Sequence, residues 1–326
     1  MDLLYLYRRS LSFYKESALE NIQLTTAIGT YGHTIKLKSA PLNSPYFRFD
    51  HKEISPIPMV FRRMVRNLEF DISEMALATY IVSKHFKKEF TALPIFLTRG
   101  FYHETLSCRK DSSFQSPSEL NGKKIGVRSY TFTPGVWTRG ILNSEYGLNC
   151  DSVTWVLSGD EHVIEYQAPP NVVSSECSDL KEMLISGEVD AIIGPPNLDT
   201  SKTKPFFDNP SSLDHQWFHK TQIYPISHIL VVKNSLLKRD DGLVREINRV
   251  FQAARTTYIK TLENKPILSG EDKHLLRTKD LIGYDPVSYD FSEAKNGIET
   301  FIDFCVAQKL IDKATTAESL FPISFS

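Results

Sequence analysis

Four cysteines in 326 residues, Cys108, Cys150, Cys177 and Cys305, stand far apart and form no CxxC pair. That spacing argues against a disulfide framework and for free thiols in a reducing compartment. Neither sign of charge is in excess. With 38 basic and 39 acidic side chains the net charge is −1, so no strong field favours nucleic acid or an anionic membrane. No apolar run approaches the roughly 20 residues of a membrane span. The N-terminal MDLLYLYRRSLSFYKE holds only a short apolar run, and Arg8 and Arg9 follow it instead of preceding it. That is the wrong order for a secretory signal. The expectation is a cytoplasmic protein with neither nucleic acid nor membrane as partner. A Walker loop, a GxGxxG after a strand and a GxSxG are all missing, which disfavours the nucleotide-binding and α/β-hydrolase chemistry they carry. His215 and His219 have i, i+4 spacing with Asp214 beside them, but no HExxH and no third ligand is evident, so no metal is expected.

What remains is an ordinary globular composition, 41% hydrophobic and 24% charged, long enough for one large or two medium domains. The most informative stretch is Gly122–Gly147, GKKIGVRSYTFTPGVWTRGILNSEYG. It reads as a strand (Lys124–Val127), a polar turn and a helix. Thr133 is placed to cap the helix, Pro134 to open it and Gly147 to end it. Val136, Trp137, Ile141 and Leu142 give it an apolar face, with Trp137 read as core. Free N–H groups at a helix start beside Arg128 suit a carboxylate or phosphate; an ordinary turn with a solvated Arg is the structural alternative.

Along the rest of the chain, residues 1–20 read as a helical arm. Strands are expected at Ile22–Ile28, Tyr46–Phe49, Ala92–Leu97, Val153–Leu157, Val189–Ile193 and His228–Val232, with a crossing strand near Glu104–Cys108. Helices are expected at Glu74–Phe86, Asp179–Ser186, Asp241–Leu262 and Tyr289–Leu310. Ser116–Leu120 reads as a capped turn, Gly159–Val173 as a loop and residues 197–211 as a surface excursion. No internal repeat is visible. Alternating strands and helices predict α/β sheets. The expected architecture is two α/β lobes joined by two crossings: lobe I, residues 21–103 plus 229–326, and lobe II, residues 104–228.

Five blocks, AIGTYGHT, VFRRMVRNLEFDISEMALATYIVSK, GKKIGVRSYTFTPGVWTRGILNSEYGL, ISGEVDAIIGPP and IYPISHILVVKN, resemble the 4,5-dihydroxyphthalate decarboxylase family, in order from about Leu24 to about Phe321. Residues 1–20 and 159–175 lie outside the resemblance. It implies a two-lobed type II periplasmic-binding-protein-like fold with an interlobe cleft that closes on a small aromatic carboxylate. It also implies a decarboxylase that needs no metal and no cofactor. It supplies no catalytic set, so roles follow from chemistry.

Decarboxylating a hydroxylated aromatic acid requires a proton donor for the ring carbon, a base or hydrogen bond for the phenol and a cation for the carboxylate. His228, on a strand leaving the second lobe, and His33, in the loop after the first strand, are the acid–base candidates; each alternatively is a structural histidine. Glu74, read as the start of a helix, is a base or an orienting partner, or merely well placed on the helix dipole. Arg128 is the carboxylate clamp. Ser129, Tyr130, Thr131, Thr133 and Tyr31 can bond ligand oxygens. Arg139 completes the substrate set, although its position on the helix also reads as a surface charge. Arg62, Arg63 and Arg66 read as a solvated helix face. Two main functions stay open: a decarboxylase of a phthalate-like acid, and a non-catalytic solute-binding protein or sensor with the same cleft. A third is an enzyme of this fold acting on another small anion. The sequence leaves homo-oligomerisation open.

Overall fold

The computed structural model describes residues 22–39, 44–195, 201–238, 241–264 and 266–323; the expected N-terminal arm lies outside them. Two sheets organise the chain. The first contains β1 (Ile22–Ala27), β2 (Phe47–His51), β3 (Ile72–Ala76), β4 (Phe90–Arg99) and β11 (Ile226–Lys233) in the order β2-β1-β3-β11-β4. The second contains β5 (Leu106–Arg109), β6 (Lys124–Val127), β7 (Thr154–Leu157), β8 (Val172–Ser174), β9 (Ala191–Ile193) and β10 (Thr203–Pro205) in the order β10-β5-β9-β6-β7-β8. β1 runs parallel to β2 and β3, and β11 antiparallel to β3 and β4. The second sheet repeats the plan. β6 runs parallel to β7 and β9, and the incoming β5 lies antiparallel between β9 and β10. This topological repeat leaves no trace in the sequence, because it is made by strand order and not by side chains.

The apolar runs explain the layers. β3, most of β4 and β9 are buried throughout, as strands covered on both faces must be. One apolar cluster joins Phe61, Ile125, Trp137, Ile226 and Phe301 and so passes from one sheet to the other. The Phe291–Ala307 helix packs on the Thr133–Tyr146 helix at Gly140. A Cβ there would sit 2.1 Å from the Phe304 ring, so only glycine permits the approach. Gly147, with φ 69°, ends the Thr133–Tyr146 helix as expected, and Ser116 with Glu119 forms a capping box. Gly100 N–H donates to the Pro225 carbonyl at 3.0 Å and ties together the two segments that pass between the sheets. Among the described residues no helix is long and apolar enough to cross a membrane, and all four cysteines are free.

Three readings of the sequence need correction. Glu74 does not start a helix: it lies inside β3, opposite Leu230 of β11, and the helix begins at Leu77. Ladder pairing on both sides of β3 overrides the helical look of EMALATYIV. Part of the expected excursion at 197–211 is ordered, with Thr203–Pro205 paired to β5. The expected loop at 159–173 ends in β8.

Candidate active site

The candidate residues lie in the loops after β1, β6 and β7 and within β3 and β11, near strand ends of the kind where open α/β sheets place ligands. Glu74 is the centre of the first group. Its side chain is fully buried, and three donors converge on it. Gly29 N–H reaches Oε2 at 2.6 Å, Tyr31 Oη reaches Oε1 at 2.6 Å, and His228 Nδ1 reaches Oε1 at 2.6 Å. Burial alone would raise the carboxyl. The hydrogen bond and charge of His228, with the Tyr31 and Gly29 bonds, outweigh it and hold Glu74 below the usual carboxylate range. The Glu74 carboxylate accepts the hydrogen bond of His228 Nδ1–H, which leaves Nε2 as the ring atom able to give or take a proton. Phe61 packs edge-on against His228, with centroids 4.9 Å apart.

His33 lies behind this group. It is 4% exposed and stacked on Tyr31 with centroids 5.6 Å apart. Burial lowers its pKa to about 4, against an opposing pull from Glu74. At neutral pH the ring is uncharged, so His33 cannot deliver a proton as an imidazolium. Tyr31 is pushed the other way, by burial and then by the Glu74 charge, and stays a phenol.

The second group surrounds the β6 loop. The turn expected to take an external anion holds a carboxylate of the chain itself. Glu161, in the loop after β7, accepts from Tyr130 N–H at 2.5 Å, from Thr131 N–H at 3.2 Å and from the Thr131 hydroxyl. Ser129 is buried, and its carbonyl takes the Phe132 N–H. Thr133 does not cap its own helix, whose N-cap is Phe132 without a side-chain bond. Its hydroxyl accepts from Ala78 N–H at 3.0 Å, a free donor at the start of the Leu77–His85 helix. Arg139 is not a surface charge. It is fully buried, donates to Gln308 Oε1 and to the Tyr130 carbonyl at 2.6 Å each, and lies 4.1 Å over the Tyr130 ring. The apolar helix face that suggested a solvated opposite side is wrapped by the Phe291–Ala307 helix instead.

Arg128 is the expected candidate that remains available in this group. One Nη donates to His162 Nε2 at 2.7 Å, Nε has no partner, and no carboxylate pairs with it among the described residues. Because the guanidinium has only donors, His162 Nε2 must accept. His162 is therefore the neutral Nδ1–H tautomer, bonded at 3.1 Å to Thr79 Oγ1. Burial, then the charges of Arg128 and Arg62, lower its pKa to about 3. Phe61 joins the two groups, with its ring 5.8 Å from that of His162.

Sequence reasoning missed Asp160, Glu161 and His162 altogether. Asp160 accepts from Arg62 at 2.9 Å and from Arg66 at 3.2 Å, and Arg66 also reaches the carbonyls of Glu161 and His162. Two of the three supposed solvated arginines thus cross to the β7 loop; Arg63 pairs with Glu69 at the surface. The available signal was position, since a polar run directly after a buried parallel strand lies at the ligand edge of the sheet. A surface hollow of about 740 Å³, lined by Pro94, Gln252, Arg255 and Phe321 among others, includes none of these groups.

No family model matches the chain. Among solved structures it is similar to the periplasmic sulfonate-binding protein SsuA of Methylobacillus flagellatus, with TM-score 0.55 and 12% identity over 93% of this chain and 92% of that one. It is similar also to SsuA of Escherichia coli, with TM-score 0.53 and 11% identity over 92% and 91%. A Candida albicans protein described as having the generic periplasmic binding protein fold matches with TM-score 0.50 and 9% identity over 88% and 95%. At such identities the likeness shows the fold, a two-lobed periplasmic-binding-protein-like α/β architecture. Two relatives, each named 4,5-dihydroxyphthalate decarboxylase, are closer in sequence. The one from Comamonas testosteroni is 26% identical over 93% of this chain and 97% of its own length. The one from Pseudomonas putida is 33% identical over 54% of this chain and 72% of its own length. The chain therefore belongs to the 4,5-dihydroxyphthalate decarboxylase family.

Proposed function

We propose that the protein decarboxylates a hydroxylated phthalate-like acid, without metal or cofactor, in a cleft between a lobe of residues 21–103 with 229–326 and a lobe of residues 104–228. The names of the two relatives support the reaction. The observation that carries the site is the pairing of a carboxylate-backed imidazole, His228 on Glu74, with a guanidinium that has no carboxylate of its own, Arg128. Phe61 lies between them as an apolar wall. In this reading the Phe291–Ala307 helix braces the two lobes from outside the cleft.

In 4,5-dihydroxyphthalate each hydroxyl is para to one carboxylate. With the phenol proton removed, electron density reaches the carbon that bears the departing carboxylate. His228 Nε2 delivers a proton to that carbon, which gives a cyclohexadienone. The C–CO₂ bond then breaks, its electron pair restores the aromatic ring, and the phenolate regains a proton. One proton is consumed for each carbon dioxide released. Arg128 binds a carboxylate, Glu74 orients His228 and balances its charge, and Tyr31 fixes Glu74. Positioned acid–base help of this kind is worth about 10²–10⁴-fold.

The test is carbon dioxide release and product mass over a panel of hydroxyphthalates, before and after exhaustive chelation. Activity restored only by a divalent ion removes the metal-free route. The likeness to sulfonate-binding proteins keeps a second reading in view, a receptor for small aromatic carboxylates. Tight binding of the panel without carbon dioxide release selects it.

A further inference from the structure

A second hollow, of about 230 Å³, opens beside the first strand loop and shares Tyr31 and His33 with the region behind Glu74. Its other walls come from the end of β4 (Thr98, Arg99), from Tyr224, and from Tyr258, Glu271 and His274. Three of its residues hold buried polar atoms without a partner: Arg99 Nε, Thr98 Oγ1 and His33 Nε2. Buried polar groups are ordinarily paired, so such a cluster in one place calls for an explanation.

The chemistry of the walls is specific. Arg99 has no carboxylate among the described residues. Its terminal nitrogens reach only the carbonyls of Ser288, at 3.2 Å, and Tyr224, at 3.5 Å. Its guanidinium lies over the rings of Phe96 and Tyr224, at 4.8 and 5.9 Å from their centroids. The charge is thus cradled by π faces and forms no ion pair, with Glu293 and Asp285 acting on it only at longer range. Tyr31, stacked parallel with His33, adds a flat aromatic wall. Pockets for drug-sized ligands run to roughly 300–1,000 Å³, so this one suits a single ring. Glu271 at the rim repels a second carboxylate and accepts a hydroxyl proton. A dianionic phthalate is disfavoured and a hydroxylated benzoate is favoured.

We propose that this hollow is a binding site for a hydroxylated aromatic monocarboxylate, with the carboxylate on Arg99 and Thr98 and the ring between Tyr31 and Tyr224. It is separate from the site around His228 and Arg128, and it stands or falls without the decarboxylation reading. If that reading holds, the ligand has the chemical form of the product, and Tyr31 joins the two sites through its bond to Glu74.

The experiment is calorimetric titration of 3,4-dihydroxybenzoate into the wild type, Arg128→Gln, Arg99→Gln and His274→Trp proteins. Arg128→Gln weakens the proposed catalytic site, so the titration reads the hollow alone. Binding to that variant is expected, and adding Arg99→Gln is expected to weaken it tenfold or more. Because Arg99 is largely enclosed and its variant can fail to fold, His274→Trp, at an exposed position on the rim, supplies the second test by filling the mouth; the same loss is expected. In Glu271→Gln, phthalate is expected to gain affinity relative to 3,4-dihydroxybenzoate. No binding to Arg128→Gln, or binding there that neither Arg99→Gln nor His274→Trp weakens, overturns the proposal. Failure of the decarboxylation reading shows separately, as absent turnover in the wild type.

Discussion

The Arg128 guanidinium is held by His162 Nε2 at 2.7 Å, a neutral ring and not a carboxylate. An imidazole acceptor fixes the direction of the fork without cancelling its charge, so the cation stays available to an incoming anion. Arg128→Ala is expected to weaken binding of an aromatic carboxylate by about 1.5–3 kcal/mol, the worth of a charged hydrogen bond in a sheltered place. Unchanged affinity in a titration with phthalate removes Arg128 from the site.

In the proposed site His162 would act on a ligand through Arg128, to which it is hydrogen-bonded. Replacing it by Phe keeps the ring volume and removes the acceptor. The expected result is a KM raised about tenfold, or ~1.4 kcal/mol, with kcat nearly unchanged, and partial recovery in His162→Gln, whose amide oxygen can accept. An equal fall in kcat and kcat/KM would place His162 in the chemical step instead.

For the Glu74–His228 pair the expected losses differ by partner. His228→Asn removes the proposed proton donor, and kcat is expected to fall by about 10²–10⁴-fold. Glu74→Ala leaves the half-buried His228 and two further donors without their buried acceptor, so stability is expected to fall by up to about 3–5 kcal/mol, the cost of removing one partner of a buried pair. Urea unfolding separates the two outcomes. Full activity in His228→Asn would reassign the acid.

The legible part of the fold followed from periodicity and buried runs. β1, β4, β7, β9 and β11 and the two long C-terminal helices stand within a few residues of where apolar patterning puts them. Ambiguity entered where tertiary contact decides. The stretch EMALATYIV has helical composition, yet Glu74 is a strand residue because β1 and β11 pair with its strand. Arg139 looked exposed because one helix face was apolar, but the Phe291–Ala307 helix covers the other. Of the proposed site, His228, Tyr31 and Arg128 were legible beside strands from residue type and position, whereas Glu74 reads in the sequence as the start of a helix. That Glu74 links Tyr31 with His228 was not legible, because His228 lies 154 residues from Glu74 and Tyr31 a further 43 on the other side of it. The Asp160–Glu161–His162 run carried no motif and lay outside every resembling block.

Two buried histidines contribute to the acid limb of stability, beside carboxylates such as Glu74 that are also held low. The pKa of His33 falls to about 4 and that of His162 to about 3, while an unfolded chain protonates both near 6.5. Between those values the unfolded state binds more protons, so folding weakens as pH falls. The full contribution is present above about pH 6.5. Each histidine removes up to about 1.4 kcal/mol per pH unit on the way down to its own folded value. Urea unfolding between pH 7 and 4.5 is expected to show the slope, and the His33→Asn and His162→Gln variants are each expected to reduce it. A flat profile in the wild type would mean that the rings are solvated or charged.

The Glu161 carboxylate occupies the turn that anions favour, with the Tyr130 and Thr131 N–H groups and the Thr131 hydroxyl around it. Removing it has two opposite consequences. In Glu161→Ala the turn loses its acceptor, and each donor left unpaired costs about 1–3 kcal/mol unless water reaches it. The vacated turn then becomes what the sequence alone suggested, a site for an external anion beside the helix start at Thr133. Sulfate at ten times its dissociation constant would return about 1.4 kcal/mol, or about 2 °C of melting temperature for a chain of this size. The expected observation is a Glu161→Ala protein that melts lower than wild type in chloride and recovers part of the difference in sulfate at equal ionic strength. Comparing the two proteins in each salt cancels the general stabilisation that sulfate gives to any fold. Equal responses to sulfate would show that the turn collapses when Glu161 is lost, so that the carboxylate builds the turn and does not merely fill it.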